Sequence, residues 1–249
     1  ALDGTWYHSS KKIHCPCCSH LEHANGEITY YHSAVTPVIV APGQSEVIAL
    51  RPEFITPQDG HTKQDCELAA AKRWLEQNAT RYLDGPVTLL GDDLYAHQPF
   101  CRRSLLHGFH FLFTCKPESH GTLYQWVTLL QPGPDLGSLK LRVKAGSQWH
   151  THTYRWARQV PLAEGEGALK VNWCELSVTD QEGTVLYRNA WITDWAITGQ
   201  NVAALAASGR ARWKIENENT LKTKGYHLEH NFGHGKKHLS SLLAALNIL

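Results

Sequence analysis

Carboxylates at three places in the chain have the sequence context of catalytic metal ligands. Asp3 lies in Ala-Leu-Asp-Gly-Thr, at the start of a predicted strand. Asp92 and Asp93 follow the apolar run Val-Thr-Leu-Leu-Gly, and Glu216 and Glu218 lie on a predicted helix. Functional sites in open α/β sheets form at the carboxyl ends of strands. Three converging carboxylates would suit Mg²⁺, and two such ions can drive an in-line displacement at phosphorus. For any single Asp, a turn or a helix cap is the alternative.

A short loop near the start of the chain combines thiols with imidazoles. Cys15 and Cys18 have the C-x-x-C spacing of half a zinc site, which His20, His23 or His32 could complete. The sequence holds no second C-x-x-C, so a loop of reduced thiols and imidazoles is the alternative. The chain has 7 Cys, and this odd number favours reduced thiols in a cytoplasmic protein over a disulfide framework.

The composition is that of a folded protein without a strong overall charge. With 249 residues, 42% of them hydrophobic, the chain can bury the core of one large domain or two small ones. Lys+Arg 24 against Asp+Glu 23 gives a net charge of +1, so any contact with nucleic acid must come from local basic patches. No apolar run approaches the roughly 18 residues that cross a bilayer. The opening Ala-Leu-Asp resembles the middle of a strand, so we expect the chain to be a fragment.

Strands and helices are predicted to alternate in the first half of the chain. β-Branched and aromatic residues predict strands within 1–50, and later apolar runs predict strands at 87–91 and 109–115. Helices are predicted at 63–78, 99–107 and 119–130, which favours an α/β protein with a partly parallel sheet. The second half of the chain is predicted to form antiparallel strands at 138–144, 149–158, 169–179 and 184–194. Two helices are predicted to follow, at 201–222 and 236–246.

Three blocks of the sequence resemble those of bacterial insertion-sequence transposases of the DDE type. The blocks are Asp-Gly-Thr at 3–5, Leu-Gly-Asp-Asp-Leu-Tyr-Ala-His-Gln at 90–98 and Gly-Arg-Ala-Arg-Trp-Lys-Ile-Glu-Asn at 209–217, in the order of that family. The resemblance implies an RNase H-like mixed sheet with flanking helices and an inserted antiparallel β subdomain. It also implies three segments. The first part of the catalytic core would span 1–134, the β-rich insertion 135–196, and the last part of the core, with the Glu helix, 197–249.

The resemblance implies a role for each matched acid. Asp3, Asp92 and Glu216 would be the catalytic residues and the ligands of two Mg²⁺ ions, with Mn²⁺ as a substitute. Asp93 is the register alternative to Asp92 and would be a further metal ligand, and Glu218 is the less favoured alternative to Glu216.

Cationic side chains near these acids are the predicted DNA contacts. Arg212 precedes Glu216 by four residues, so the two share one helix face, and the guanidinium would hold a phosphate. Lys222 or Lys224 would do the same as a point charge, and the stretch 222–238 would follow the DNA backbone or else be a solvated connection between helices. Lys116, after a predicted strand, would contact phosphate or simply end the strand.

The chain departs from the family at two positions of the last helix. The Tyr expected three residues before Arg212 is Gly209, and the Lys expected seven residues after Glu216 is Thr223. These changes leave the Arg and the Glu of the pattern intact but put the Tyr and Lys roles in doubt.

The resemblance implies a DNA transposase that cleaves the ends of its element and transfers the strands to target DNA. Its partners would be transposon-end and target DNA and a second copy of the chain in a synaptic homodimer. The protein would be cytoplasmic and associated with a bacterial nucleoid. Two alternatives stay open, a metal-dependent nuclease that cuts without joining and a non-catalytic remnant that binds nucleic acid or protein.

Overall fold

The chain divides into two compact units. In a computed structural model, the first unit comprises Ala1–Asn78 and Ala211–Leu249, and the second comprises Ala79–Arg210. Strands and helices alternate in both, so the prediction of a mixed α/β protein is confirmed, while the RNase H-like arrangement stays a prediction. The predicted segment boundaries after 134 and 196 do not coincide with the boundaries of these units. The structure describes residues 1–56, 66–82, 85–130, 133, 135–216 and 233–248.

The first unit contains a four-stranded antiparallel sheet. Its strands follow the order β1-β3-β2, and β6 also pairs with β3; they span Gly4–Ser10 (β1), Ile28–Val35 (β3), Ser19–Glu22 (β2) and Glu53–Ile55 (β6). Two short strands, β4 at Val38–Ile39 and β5 at Ile48–Ala49, form a separate pair. The pairing of β1 with β3 sets His8 opposite His32 and lets Thr36 donate its amide to the carbonyl of Asp3.

Two helices complete the described part of the first unit. Helix α1 at Glu67–Asn78 buries Ala70, Ala71, Trp74 and Leu75 at helical spacing, as the apolar pattern predicts. Helix α5 at Leu239–Ile248 buries Ala244 against Tyr7 and Ala34. These contacts bring the end of the chain onto its first strands.

The second unit is built on a six-stranded mixed sheet. Only β7 and β8 are parallel, and they coincide with the two predicted apolar strands. The four predicted antiparallel strands are all present, and they extend the same sheet because β12 pairs with β8. The sheet order is β7 (Thr88–Gly91), β8 (His110–Thr114), β12 (Val185–Thr193), β11 (Lys170–Thr179), β10 (Gln148–Pro161) and β9 (Leu136–Ala145).

Three helices accompany this sheet along the chain. Helices α2 at Gln98–Leu106 and α3 at Gly121–Leu129 lie where the sequence predicts them. Helix α4 spans Val202–Ala211, and the predicted helix over 201–222 is interrupted by a turn at Arg212 and Trp213. Helical structure resumes at 214–216, and residues 217–222 lie outside the described part of the chain. No helix among the described residues is both long enough and apolar enough to cross a bilayer.

Gly209 in α4 explains one departure from the transposase pattern. A Cβ at this position would lie 2.5 Å from Nε1 and 2.6 Å from Cε2 of Trp191, whose side chain is fully buried on β12. A tyrosine therefore has no room where the family carries one. The close approach of α4 to the sheet requires a residue without a side chain here.

The Gly209→Ala substitution tests this close approach. Ala in place of Gly normally stabilises a helix by about 0.5–1 kcal/mol. Here we expect a loss of about 1–3 kcal/mol in the free energy of unfolding, because the methyl group overpacks the Trp191 contact. Urea unfolding measures it. The reverse change Ala207→Gly, at an exposed position of the same helix, calibrates the helix propensity, and a Gly209→Ala protein as stable as wild type would contradict the steric argument.

Candidate functional site

Two thiols and two imidazoles of the first unit form a thiol–imidazole cluster (Cys15, Cys18, His32 and His234). Cys15 and Cys18 lie in the loop between β1 and β2, where the Cys18 amide donates to the Cys15 carbonyl and closes a tight turn. His32 lies on β3, and His234 lies in the segment before α5. All four ligand atoms lie within 4.8 Å of one another.

Four of the six ligand–ligand distances in the thiol–imidazole cluster match tetrahedral metal coordination. The Sγ atoms of Cys15 and Cys18 are 3.8 Å apart, which is far beyond the roughly 2.05 Å of a disulfide. His32 Nε2 lies 3.6 Å from Cys15 Sγ and 3.4 Å from Cys18 Sγ, and His234 Nε2 lies 3.5 Å from Cys18 Sγ. Zinc–ligand bonds of about 2.3 Å to sulfur and about 2.0 Å to nitrogen give tetrahedral S···S and S···N separations of about 3.8 and 3.5 Å.

Burial sets the protonation of these groups. Burial, and then the neighbouring His234 and His8, lower the pKa of His32 to about 4, so its ring is neutral at pH 7 and ready to ligate. Burial raises the pKa of the Cys18 thiol to about 11, so without a cation the thiol keeps its proton. A metal ion would reverse this preference, because a coordinating thiol is deprotonated.

The described cluster differs from the predicted ligand set in two members. His20 and His23 are exposed and lie outside the cluster, and His23 Nε2 instead bonds to the Thr29 hydroxyl at 2.8 Å. His20 follows the buried Ser19 on β2, and side chains alternate between the two sides of a strand. His32 was among the three candidates, whereas no spacing rule could have found His234, which is 216 residues from Cys18.

Asp3 and Glu216 meet at one guanidinium in a carboxylate–guanidinium cluster (Asp3, Arg212 and Glu216). Arg212 Nη2 lies 2.7 Å from Glu216 Oε1, and Nη1 lies 3.9 Å from Asp3 Oδ1. The Arg212 side chain is 10% exposed, and those of Asp3 and Glu216 are 17% and 19% exposed. The first and third acids of the predicted triad are thus brought together inside the first unit.

Tertiary contacts fix the residues between Arg212 and Glu216. Ile215 is fully buried against Val38 and Val47, which holds Glu216 beside the core. Lys214 donates its ammonium to the carbonyl oxygens of Ala41 and Gln44. The turn that carries Arg212 and Glu216 is therefore held by the first unit.

A further carboxylate, which no sequence pattern indicated, lies against Gly4, the residue after Asp3. A Cβ on Gly4 would lie 2.1 Å from Oε2 of Glu67, the first residue of α1. The Gly of Asp-Gly-Thr thus lies against the end of the Glu67 side chain. An acidic residue in the first turn of a helix carries no sequence signal beyond its favourable interaction with the helix dipole.

Asp92 and Asp93 lie at the carboxyl end of the parallel strand pair in the second unit. Asp92 Oδ1 accepts the Leu94 amide at 2.9 Å, which caps a 3₁₀ turn. Asp93 Oδ1 accepts the Lys116 amide at 2.6 Å and lies 3.2 Å from Nε2 of the buried His120. Protein groups therefore hold Asp93, whereas Oδ2 of Asp92 makes no hydrogen bond or ion pair with the described residues.

Lys116 contributes its backbone amide to this arrangement, and its side chain is exposed at the same edge of the sheet. Convergence of Asp92 with Asp3 and Glu216 stays a prediction. Three predicted residues, Glu218, Lys222 and Lys224, lie outside the described part of the chain.

The two clusters offer different chemistry to metals. The thiol–imidazole cluster is a Cys₂His₂ donor set, which suits a borderline-soft ion such as Zn²⁺ and does not suit Mg²⁺. With four protein ligands it would be closed to substrate, as structural sites are. The carboxylates at Asp3, Glu216 and Asp92 supply the hard oxygen donors that Mg²⁺ prefers.

Comparison with protein-family models and with curated proteins finds no match to this chain. The candidate sites are therefore argued from their residues alone.

Replacing Arg212 tests whether its charge holds the two carboxylates. Arg212→Met leaves Asp3 and Glu216 largely buried without their counter-charge, so we expect a loss of about 2–4 kcal/mol in the free energy of unfolding. Arg210→Met removes an exposed guanidinium that lies over the Tyr187 ring at 4.7 Å, and should lose only about 0.5–1 kcal/mol. Equal losses in chemical denaturation of the two variants would contradict the role of Arg212.

Proposed function

We propose that the chain is the catalytic part of a DNA transposase of the DDE class, which cleaves and joins DNA strands by in-line phosphoryl transfer. The observation that carries the proposal is the meeting of Asp3 and Glu216, from opposite ends of the chain, at the Arg212 guanidinium. The placement of Asp92 directly after a strand of the parallel pair adds to it, because functional sites favour such strand ends.

The residues divide into metal ligands and phosphate contacts. Asp3, Asp92 and Glu216 would hold the divalent ions, and the observed contacts favour Asp92 over Asp93 because Asp93 is held by the Lys116 amide and His120. When bound, Mg²⁺ ions supply activation of an attacking oxygen and stabilisation of a leaving oxygen. Arg212 presents a planar fork of donors, which matches a phosphate better than a point charge does.

The proposed reaction has two displacements at phosphorus. Water first attacks the phosphodiester at the end of the element, the P–O3′ bond breaks, and the released 3′ oxygen takes a proton. The new 3′-hydroxyl then loses its proton and attacks a target phosphodiester, so that one P–O bond forms as another breaks. The chain would orient the phosphate through Arg212 and Lys116.

An Asp92→Asn variant tests the catalytic role. Wild type and variant would be incubated with Mg²⁺ and a plasmid that carries the terminal repeats of the encoding element. We expect strand transfer to fall at least about 100-fold in the variant, because several kcal/mol of charge stabilisation is lost. The melting temperature should stay near that of wild type.

The exposed Asp135→Asn change is the matched control and should leave strand transfer unchanged. Cutting without joining by wild type would instead support a metal-dependent nuclease. No chemistry by folded wild type would overturn the enzymatic proposal and favour a non-catalytic remnant.

We also propose that the thiol–imidazole cluster binds one structural Zn²⁺. The proposal rests on four donors at tetrahedral spacing and on the neutral ring of His32. Such an ion would join the loop after β1, strand β3 and the segment before α5. Tyr7 supports the same connection, because its ring stacks on His32 and its hydroxyl bonds to Ser241 on α5 at 3.1 Å.

Elemental analysis of the purified protein tests the zinc proposal. We expect about one zinc per chain in wild type and almost none in Cys18→Ser or His234→Ala, since a structural site needs all four ligands. Removal of zinc by a chelator should lower the melting temperature by about 5–10 °C. A free metal concentration of about one hundred times its Kd stabilises the folded state by about 2.7 kcal/mol, and each kcal/mol shifts the melting temperature of a protein of this size by about 2–4 °C.

Cys17→Ser and His23→Ala are the controls, because both residues neighbour the cluster without belonging to it. They should retain zinc. Equal metal loss in these controls, or a wild type that takes up no zinc on reconstitution, would refute the assignment.

A further inference from the structure

Strands β9 to β12 place five cationic side chains on one face of the sheet. Lys140, Arg142 and Lys144 alternate along β9, and alternate residues of a strand share a face. Their directly paired partners on β10 are Thr153, Thr151 and Trp149, and paired residues point to the same side.

The face continues across the inner strands. Arg155 on β10 pairs with Glu175 on β11, and Ser177 on β11 pairs with Arg188 on β12. We call this surface the basic face, and its cations are Lys140, Arg142, Lys144, Arg155 and Arg188.

The only carboxylate that these strands place on the basic face is neutralised within it. Glu175 is buried, and its two oxygens lie 2.7 Å from Arg155 Nη2 and 2.7 Å from Arg188 Nη2. Five cations against one carboxylate leave four positive charges on a protein whose total is +1. Asp180 and Glu182 lie on the turn beyond β11, where Asp180 accepts the Glu182 and Thr184 amides.

The opposite face of the same strands has a different character. Leu139, Leu141 and Val143 alternate with the cations on β9, and Tyr154 faces the same way on β10. On β9, strand alternation therefore places the three cations on one side and the apolar residues on the other. On the basic face the inner end is covered by α3, where Tyr124 makes an edge contact with Trp173, and the outer end carries the exposed cations.

The outer end has further features of a phosphate-binding surface. The Arg142 guanidinium lies over the half-exposed ring of Trp149, 5.3 Å from its centroid, which restrains the side chain while leaving its donors accessible. The hydroxyls of Thr151, Thr153 and Ser177 lie between the cations. Lys, Arg, Ser and Thr are the usual donors to phosphate oxygens in protein–DNA complexes.

Protection of an edge strand accounts for only part of this pattern. Lysines on the edge strand β9 would discourage pairing with another chain. Protection of the edge does not explain why Arg142 lies over Trp149 or why hydroxyls line β10. It also does not explain why the positive charge extends to Arg188 on β12.

We infer that the basic face binds the phosphate backbone of duplex DNA without reading its sequence. The charge argument stands by itself, while the choice of DNA among polyanions rests on the proposed function. None of the residues predicted from the sequence to contact DNA lies on this face, so it would be an additional contact within the second unit.

Salt-dependent binding tests the inference. A fluorescent duplex of arbitrary sequence would be titrated without Mg²⁺ with wild type and with the Lys140→Gln, Arg142→Gln, Lys144→Gln triple variant. Each phosphate contact adds about −0.9 to the slope of log K against log salt. We therefore expect the negative slope of the triple variant to be shallower than that of wild type by about 2–3. Affinity at about 0.1 M salt should fall at least about tenfold.

The Lys12→Gln, Arg81→Gln, Lys170→Gln triple variant removes the same three charges from exposed positions elsewhere and should bind like wild type. Equal slopes for the two triple variants would overturn the inference, provided that both melt like wild type. A triple variant that loses binding to anionic lipid vesicles but keeps its DNA affinity would also overturn it. Asp92→Asn should bind DNA with the wild-type slope, so failure of catalysis and failure of the basic face are distinguishable.

Discussion

A buried guanidinium must be paired, and Arg212 imposes that requirement on the first unit. Removal of a cation from water costs several kcal/mol unless carboxylates compensate it. Arg212 is 8% exposed, and the compensating groups are Glu216, four residues later, and Asp3, at the other end of the sequence. The same contact that neutralises the cation therefore brings together the two acids that the proposed chemistry needs.

In the second unit, too, a buried charged group is paired with opposite charges. Glu175 is buried in the middle of the sheet, and two arginines from neighbouring strands neutralise it. Because β9 to β12 are long and antiparallel, their alternation can separate a cationic face from an apolar one. The short parallel pair β7 and β8 is different, since its carboxyl end presents Asp92 and Asp93. One sheet thus supports an acidic edge at one place and a basic face at another.

The carboxylates and the thiol–imidazole cluster suit different metal ions, because their donor atoms differ. Carboxylates suit hard ions that exchange substrate oxygens, whereas two thiols and two imidazoles form a closed site for zinc. The thiol–imidazole cluster also joins segments that are far apart in the sequence, and such closure is opposed by chain entropy that grows only slowly with loop length. Bound zinc would therefore stabilise the first unit efficiently and take no part in the phosphate chemistry proposed for the acids.

Features that depend on neighbouring residues could be predicted from the sequence. Helical spacing predicted α1, apolar runs and β-branched or aromatic composition predicted the strands of the six-stranded sheet, and the C-x-x-C spacing identified Cys15 and Cys18. Such patterns are local, because backbone geometry fixes which residues share a face within a few positions. The turn after α4 at Arg212 and Trp213 was not predicted, and it lies beside Ile215, which packs on Val38 and Val47 far away in the sequence.

The residues that complete the sites could be identified only from the folded chain. It supplied His234 to the thiols, placed Glu67 beside Gly4, and engaged Asp93 with His120. It also explained Gly209 through the buried ring of Trp191. These choices depend on contacts between segments whose separation along the chain carries no spacing rule, so they become visible only when the chain has folded.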